Sequence, residues 1–465
     1  MSARIGLVFR TVGERTSDAA FDLAVRHVRP HQVHVVEGIR PIGAAMRKML
    51  ELDHECDTVV FADADCLITA DISAFLRANT LPYVDSIVLD GLRGHVQAGV
   101  HVTRIDVVRA MRELRDMDDT PQFVVEPEGT LRRRAMRRLG LTHACRPMPI
   151  LHDHLQYHGD LFTKYARRAV RHRDGYYRLR FDTHRRGWQH SPYESDRRIV
   201  EHALADARLH LPAEPDTAAL NAYFDALPGR LPAELGRAGL AEKAPLTRAE
   251  VAATVAAAAP RDRPPFPGKV FGIGLMLTGT AGLCSALNRL GLAVPFATDD
   301  WNTLHDLRAG RYDLSLLRHF DGAVETVTPF FAQLDRAWPG SKFILLQRDL
   351  DAWLADLSVL WGTRELFAAE PSPSGKQHHL RWLHRQSHGT CGYDPDRLAR
   401  AYTDLATRVR EHFRDRPGSL LTMDPHAGDG WERLCPFLGL PPPDEPFPAP
   451  DASYGWRLGR HGDVM

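Results

Sequence analysis

The chain has 465 residues, 44% hydrophobic and 25% charged. These are ordinary globular values, and they exclude a mostly disordered or collagen-like chain. Lys+Arg and Asp+Glu number 59 each, so net charge gives no support for general nucleic-acid or anionic-membrane binding. At roughly 150 residues per domain, the length suggests about three domains.

The N-terminal MSARIGLVFRTVGERT has too short an apolar run for a secretory leader, and Arg10 ends it. Six widely spaced cysteines with no CxxC pair suit a reducing compartment. The uncharged stretch Val270 to Asn288 is threaded with four glycines, which suits a strand, a loop and a helix start better than a membrane span. The expectation is a cytoplasmic protein with no membrane span and no nucleic-acid partner. No oligomeric state follows from the sequence.

The first ~110 residues alternate strand and helix patterns. Strands are expected over Arg4–Arg10, Gln32–Glu37 and Asp57–Ala62. Helices are expected over Ser17–Val28, with Ser17 as cap, and Gly43–Leu52, with Ala44, Met46, Met49 and Leu50 among its apolar positions. This βαβαβ order predicts a mostly parallel, doubly wound sheet whose ligands bind at the carboxyl ends of its strands. From Leu211 the composition shifts to Ala, Pro and Leu, read as short helices punctuated by proline. Thr247-Arg-Ala-Glu250 is a capping box opening a helix to Ala259, and 260–269 reads as an extended linker. A second α/β pattern starts at Lys269. The fold class is therefore α/β, with domains at 1–210 and 268–465 joined by a helical connector and Pro-rich linker over 211–267.

Two features carry chemistry. The first is Asp63-Ala64-Asp65 at the end of the strand TVVFADADCLI. Two carboxylates at i and i+2 can both reach one hard divalent cation, Mn²⁺ or Mg²⁺, which would neutralise a departing diphosphate. The second is the glycine loop in KVFGIGLMLTGT (269–280), with a helix pattern over Ala281–Leu290. Backbone N–H groups at such a junction cradle anions. No Lys-Ser/Thr follows, so it is not a Walker A loop. The basic run Leu131–Arg138 reads as one solvated helix face. The histidines of QHHLRWLHRQSHGT (377–390) read as a polar lid or surface loop, and the histidines between His143 and His190 lack zinc spacing.

RIGLVFRTVGERT, GIRPIGAAMRKMLEL and VVFADADCLI together resemble the GT-A glycosyltransferases of the family-2-like group, over roughly residues 3–175. The resemblance implies a nucleotide-sugar donor contacted by Arg10, Thr11, Glu14, Arg15 and Asp63, and a metal held by Asp63 and Asp65. It also implies a small-molecule or glycan acceptor. A late histidine often completes the metal shell, and His152 is the candidate, against a helix-cap or surface histidine. Asp153 is the candidate general base for the acceptor hydroxyl, against a helix N-terminal charge.

FDGAVETVTPFFAQLDRAWPGSKFILLQRDLDAWL (320–354) and GDGWERLCPFLGLPPPDEPFP (428–448) strongly resemble P-loop sulfotransferases, which use the donor PAPS (3′-phosphoadenylyl sulfate). The resemblance implies that Thr278, Gly279 and Thr280 cradle the phosphosulfate and that Arg348 pairs with the 3′-phosphate. The family pattern is broken at several points. Leu277 stands where a Lys or Arg is usual, Ala281 and Gly282 replace hydroxyl residues, and Asp356 replaces a serine, with Ser358 two residues on. Two readings stay open: a bifunctional glycosyltransferase and sulfotransferase, or a glycosyltransferase carrying a catalytically degenerate sulfotransferase-like binding module.

Overall fold

The computed structural model describes residues 3–116, 118–142, 144–173, 175–188, 193–258, 266–362 and 376–451. The expected linker lies largely outside the described residues (259–265), as does Ala259 at the end of the capping-box helix.

The N-terminal sheet has seven strands: β1 (Ile5–Thr11), β2 (Gln32–Glu37), β3 (Thr58–Asp63), β4 (Cys66–Ile68), β5 (Tyr83–Asp90), β6 (Gly94–Arg104) and β7 (Ala144–His152). Their order is β2-β1-β3-β6-β5-β7-β4. The alternation of side chains along a strand decides what each face buries. Ile5, Leu7 and Phe9 pack with Ala20, Leu23 and Ala24 of the helix Ser17–Val28. Val8, Val59 and Phe61 face the other way, onto Met46, Met49 and Leu50 of the helix Ile42–Glu51. Both faces are thus covered, which is why these strands read as continuous apolar runs.

The expectation of a mostly parallel sheet needs correction. β1 pairs in parallel with β2 and β3, and β5 with β7. The pairings β3–β6, β5–β6 and β4–β7 are antiparallel. The tight turn at Gly91-Leu92-Arg93 returns the chain directly from β5 into β6, and a hairpin can only be antiparallel. The short helices expected after Leu211 are instead one helix, Thr217–Arg237, with Pro228 and Pro232 inside it. Both prolines are exposed, and each removes one i→i−4 hydrogen bond, from the Phe224 and Pro228 carbonyls. Leu220, Tyr223, Phe224 and Leu227 are buried against Leu161, Phe162 and Tyr165 of the helix His158–Arg171. The capping box forms as expected at Thr247 and Glu250, and Val251 and Val255 of that helix lie on the N-terminal core.

The C-terminal sheet is fully parallel. It contains β8 (Val270–Ile273), β9 (Gly322–Val324), β10 (Lys342–Leu346) and β11 (Leu420–Met423), in the order β11-β10-β8-β9. The glycine loop follows β8 and opens the helix Thr280–Arg289. All six cysteines are free thiols. No helix among the described residues is long and apolar enough to cross a membrane.

The two sheets are joined by a packed seam. Ile87 and Cys145 share a buried cluster with Ala293, Leu316 and Phe320. The Cys145 N–H donates to Asn302 Oδ1 at 2.9 Å, and the His95 ring meets the Phe320 ring edge-on at 4.8 Å. Leu179, from the helix Gly175–Trp188, belongs to the C-terminal core.

Candidate functional site

β1, β3, β5 and β7 all run the same way, so Thr11, Asp63, Asp90 and His152 finish at one edge of the sheet. There Asp65, Asp90, His152 and Asp153 are buried together. His152 Nδ1 lies 2.8 Å from Asp90 Oδ2, and its Nε2 is 3.8 Å from Asp65 Oδ1. His152 is therefore neither a cap nor a surface residue. Asp153 is not at a helix N-terminus either. It directly follows β7 with φ of 62°, in a left-handed conformation that costs a non-glycine residue free energy and clusters at functional sites.

The helix His158–Arg171 crosses this edge and inserts two cations, four residues apart. Lys164 Nζ bridges the Asp65 and Asp153 carboxylates. Arg168 reaches Asp153 at 2.9 Å and Asp90 at 3.7 Å. Arg93 pairs with Asp90 at 2.7 Å, and Arg10 with Asp63 at 2.8 Å. Four carboxylates thus meet four cations. Burial works against the charge on Asp65, but Lys164 and then His152 outweigh it and hold that carboxyl well below its usual range. Asp153 is held down in the same way, against burial, by His152, Lys164 and Arg168.

The expected metal set is only partly assembled. The groupings with ligand atoms close enough for one ion are Asp65 with Cys66 and His152, and Asp90 with His152 and Asp153. Asp63 belongs to neither and is engaged by Arg10. Hard cations select carboxylate oxygens with unspent charge, and Asp65 and Asp153 already share an ammonium. The residues as arranged do not fit Mn²⁺ or Mg²⁺.

The loop after β1 is a self-supporting turn. Glu14 accepts from the Thr11 hydroxyl at 2.9 Å and the Val12 N–H at 2.7 Å. Arg15 is engaged within the chain. Its guanidinium donates to the Ala244 and Leu155 carbonyls and pairs with Glu250, so it ties the capping-box helix to the sheet. Asp160, in the first turn of the helix His158–Arg171, is pushed up to about 7 by burial and then by Glu14.

In the C-terminal domain, Thr278, Gly279 and Thr280 form the junction as expected, with Gly279 at φ of 94°. Their polar groups are already committed. The Thr278 hydroxyl donates to the Leu275 carbonyl at 2.8 Å, and the Thr280 hydroxyl to Glu325 at 2.7 Å. Leu277 takes φ of 66°, and its carbonyl accepts from Arg348 at 3.0 Å. Arg348 also pairs with Asp356 at 3.0 Å. Ser358 donates to the Ala355 carbonyl. It lies about 200° around the helix from Asp356, so it does not stand in for the missing serine. The Gly282 N–H donates to the Pro450 carbonyl at 2.8 Å, and a Cβ at Gly282 would meet the Ala449 carbonyl oxygen at 2.5 Å. The space left at the loop, between Thr183, Arg186, Phe296 and Pro450, is about 10 Å³, room for about one water molecule.

Two expectations away from these sites are corrected. The run Arg132–Arg138 is not simply solvated. Arg132 is buried over the Tyr83 ring at 4.5 Å and pairs with Glu128, while Arg133, Arg134 and Arg138 pair with Glu126, Asp116 and Glu113. His384 and His388 are not surface residues. Their rings stack at 4.7 Å, each next to Trp361.

Sequence reasoning missed Asp90, Arg93, Lys164 and Arg168. Asp90 carried a signal, because the apolar run SIVLD ends in an aspartate as VVFAD does. Lys164 and Arg168 carried only i,i+4 spacing on a helix.

A family model described as a sulfotransferase domain matches residues 269–454. A curated relative from Aspergillus versicolor, "Ava biosynthesis cluster protein M", is 29% identical over 212 residues, covering 39% of this chain and 79% of that protein. Among solved structures, the glycosyltransferase GlyE of Streptococcus pneumoniae superposes with a TM-score of 0.23 at 13% identity, over 75% of this chain and 88% of that one. The catalytic domain of Drosophila beta1,4galactosyltransferase 7 gives 0.25 at 10%, over 30% and 64%. Superpositions this loose define no function.

Proposed function

We propose that the N-terminal domain transfers a glycosyl group from a nucleotide-sugar to a small-molecule or glycan acceptor. The observation that carries this reading is the convergence of Asp65, Asp90, His152 and Asp153 at the carboxyl ends of β3, β5 and β7, beside the ordered turn after β1. That is where an open α/β sheet binds its ligand. Asp153, held ionised by Lys164 and Arg168, suits fixing charge. Asp160, pushed up to about 7, has the proton affinity that suits a base at neutral pH. Purified protein assayed against a panel of nucleotide-sugars should release nucleoside diphosphate, and Asp65→Asn should abolish that release without loss of fold by circular dichroism. Unchanged release by the variant would refute the assignment.

For the C-terminal domain, the match over 269–454 supports a sulfotransferase-like module with PAPS as the ligand class. Asp356 on Arg348 and Glu325 on Thr280 favour the reading in which it no longer transfers sulfate. Negative side chains pair with the two groups that the resemblance assigns to the donor's phosphates, and no lysine balances them at Leu277. Calorimetric titration of PAP, the desulfated donor, separates the two readings. Micromolar binding lost in Arg348→Ala supports sulfotransfer, and absence of binding supports the degenerate module.

A further inference from the structure

We propose that Lys164 occupies the cation position of the N-terminal site, so that this site holds an anionic diphosphate without a divalent metal. Lys164 Nζ is shared by Asp65 and Asp153. Asp65 belongs to one of the groupings able to ligate an ion and Asp153 to the other, so the ammonium takes an oxygen from each. An ammonium and a divalent cation cannot both lie between the same two carboxylates, because their charges repel at short range. Lys164 is also not a loosely placed surface lysine. It stands on the inner face of a helix anchored by Leu161, Phe162, Tyr165 and Ala166, with a quarter of its side chain exposed. Burial opposes its charge, yet Asp153 and Asp65 hold its proton more tightly than usual. Removing it would leave Asp153 to Arg168 and Asp65 beside the His152 ring, and would free one oxygen of each for a hard cation.

A second observation says how an anion is held instead. Arg167, the neighbour of the central residues on the same helix, has no carboxylate partner among the described residues. Its Nε is buried without a hydrogen-bond acceptor, and its guanidinium lies 5.0 Å over the Phe224 ring. Burial, then Arg10 and Arg40, lower its proton affinity to about 10. Arg167 thus has an unpaired guanidinium on the helix that carries Lys164, three residues further on. Forked guanidinium donors match phosphate oxygens, so a diphosphate beside Lys164 would supply the missing charge. The anion half of the proposal rests on the nucleotide-sugar reading, whereas the cation half does not.

The experiment has two arms on the full chain. In the first, Mn²⁺ is titrated and free Mn²⁺ is read by electron paramagnetic resonance. Wild type should bind none up to about 1 mM, and Lys164→Ala should gain a site at least tenfold tighter than that. Thermal melting of the same variant should show rescue by Mn²⁺, which reads the gain even if the variant is weakened. Stoichiometric Mn²⁺ binding by wild type, lost in Asp65→Asn, overturns the proposal. In the second arm, UDP, GDP, CDP, ADP and dTDP are titrated calorimetrically in EDTA and in Mn²⁺. The diphosphate that binds should do so equally in both buffers, and Arg167→Gln should weaken it about tenfold. Binding seen only with Mn²⁺ overturns the proposal. If no diphosphate binds in either buffer, the nucleotide-sugar reading fails, and the Mn²⁺ arm still decides the role of Lys164.

Discussion

At the scale of single residues, the chain supplies its own counter-ions where ligands were expected to supply them. Asp356 takes the Arg348 guanidinium, so Asp356→Ser should free it for the donor's 3′-phosphate. PAP affinity, measured by calorimetry, should rise about tenfold or more, the scale of one charge-assisted hydrogen bond. Asp160 makes a pH prediction. An unfolded aspartate titrates near 3.9, whereas Asp160 titrates at about 7 in the fold, because of burial and then Glu14. Between those values the native state holds the extra proton, so this group's contribution falls as pH rises through the window and is flat above it. Asp160→Asn should therefore raise the melting temperature more at pH 8 than at pH 5. An equal gain at both would show that the carboxyl is not shifted.

At the scale of elements, the two buried histidines belong to one helix, Lys376–His388. Burial lowers His388 to about 4, so it is neutral in the fold and titrates near 6.5 when unfolded. Its contribution is full above pH 6.5 and is lost as pH falls toward 4. His388→Phe should flatten that acid limb, which urea titrations at pH 5 and 7.5 would detect. The helix Thr217–Arg237 gives a second test. Pro228 is exposed, and an alanine there restores a hydrogen bond, so Pro228→Ala should stabilise the chain by on the order of 1–3 kcal/mol. Denaturant unfolding checks it.

What the sequence shows at this scale depends on range. Gln32–Glu37 and Ser17–Val28 have the bounds that their apolar period marks, because strand and helix periodicity is local. The aspartate pair was visible for the same reason. The Lys164 bridge was not, since Asp65 and Lys164 are 99 residues apart and only the sheet order brings them together. Nor was the closure of the glycine loop, which depends on Pro450 returning to Gly282. The reversal of β6 was hidden because a tight turn and a crossover both begin with polar and glycine residues.

At the scale of the whole molecule, the seam through Ile87, Cys145, Ala293, Leu316 and Phe320 makes the halves interdependent. Leu179 extends this by contributing an N-terminal helix to the C-terminal core. Expressed separately, 1–267 and 268–465 should each be poorly soluble, and co-expression should recover a stable complex by size-exclusion chromatography. Two independently soluble monomers would show that the seam contributes little.

The same seam bears on how the chain is made. Cys145 leaves the ribosome about 175 residues before Phe320 does. At synthesis rates of about 5–20 residues per second, that is a delay of roughly ten to thirty-five seconds. For that interval the nascent N-terminal sheet presents Ile87 and Cys145 with nothing yet synthesised to cover them. Slower translation over this stretch of the message should therefore lower the yield of folded protein, which a soluble-expression comparison would read.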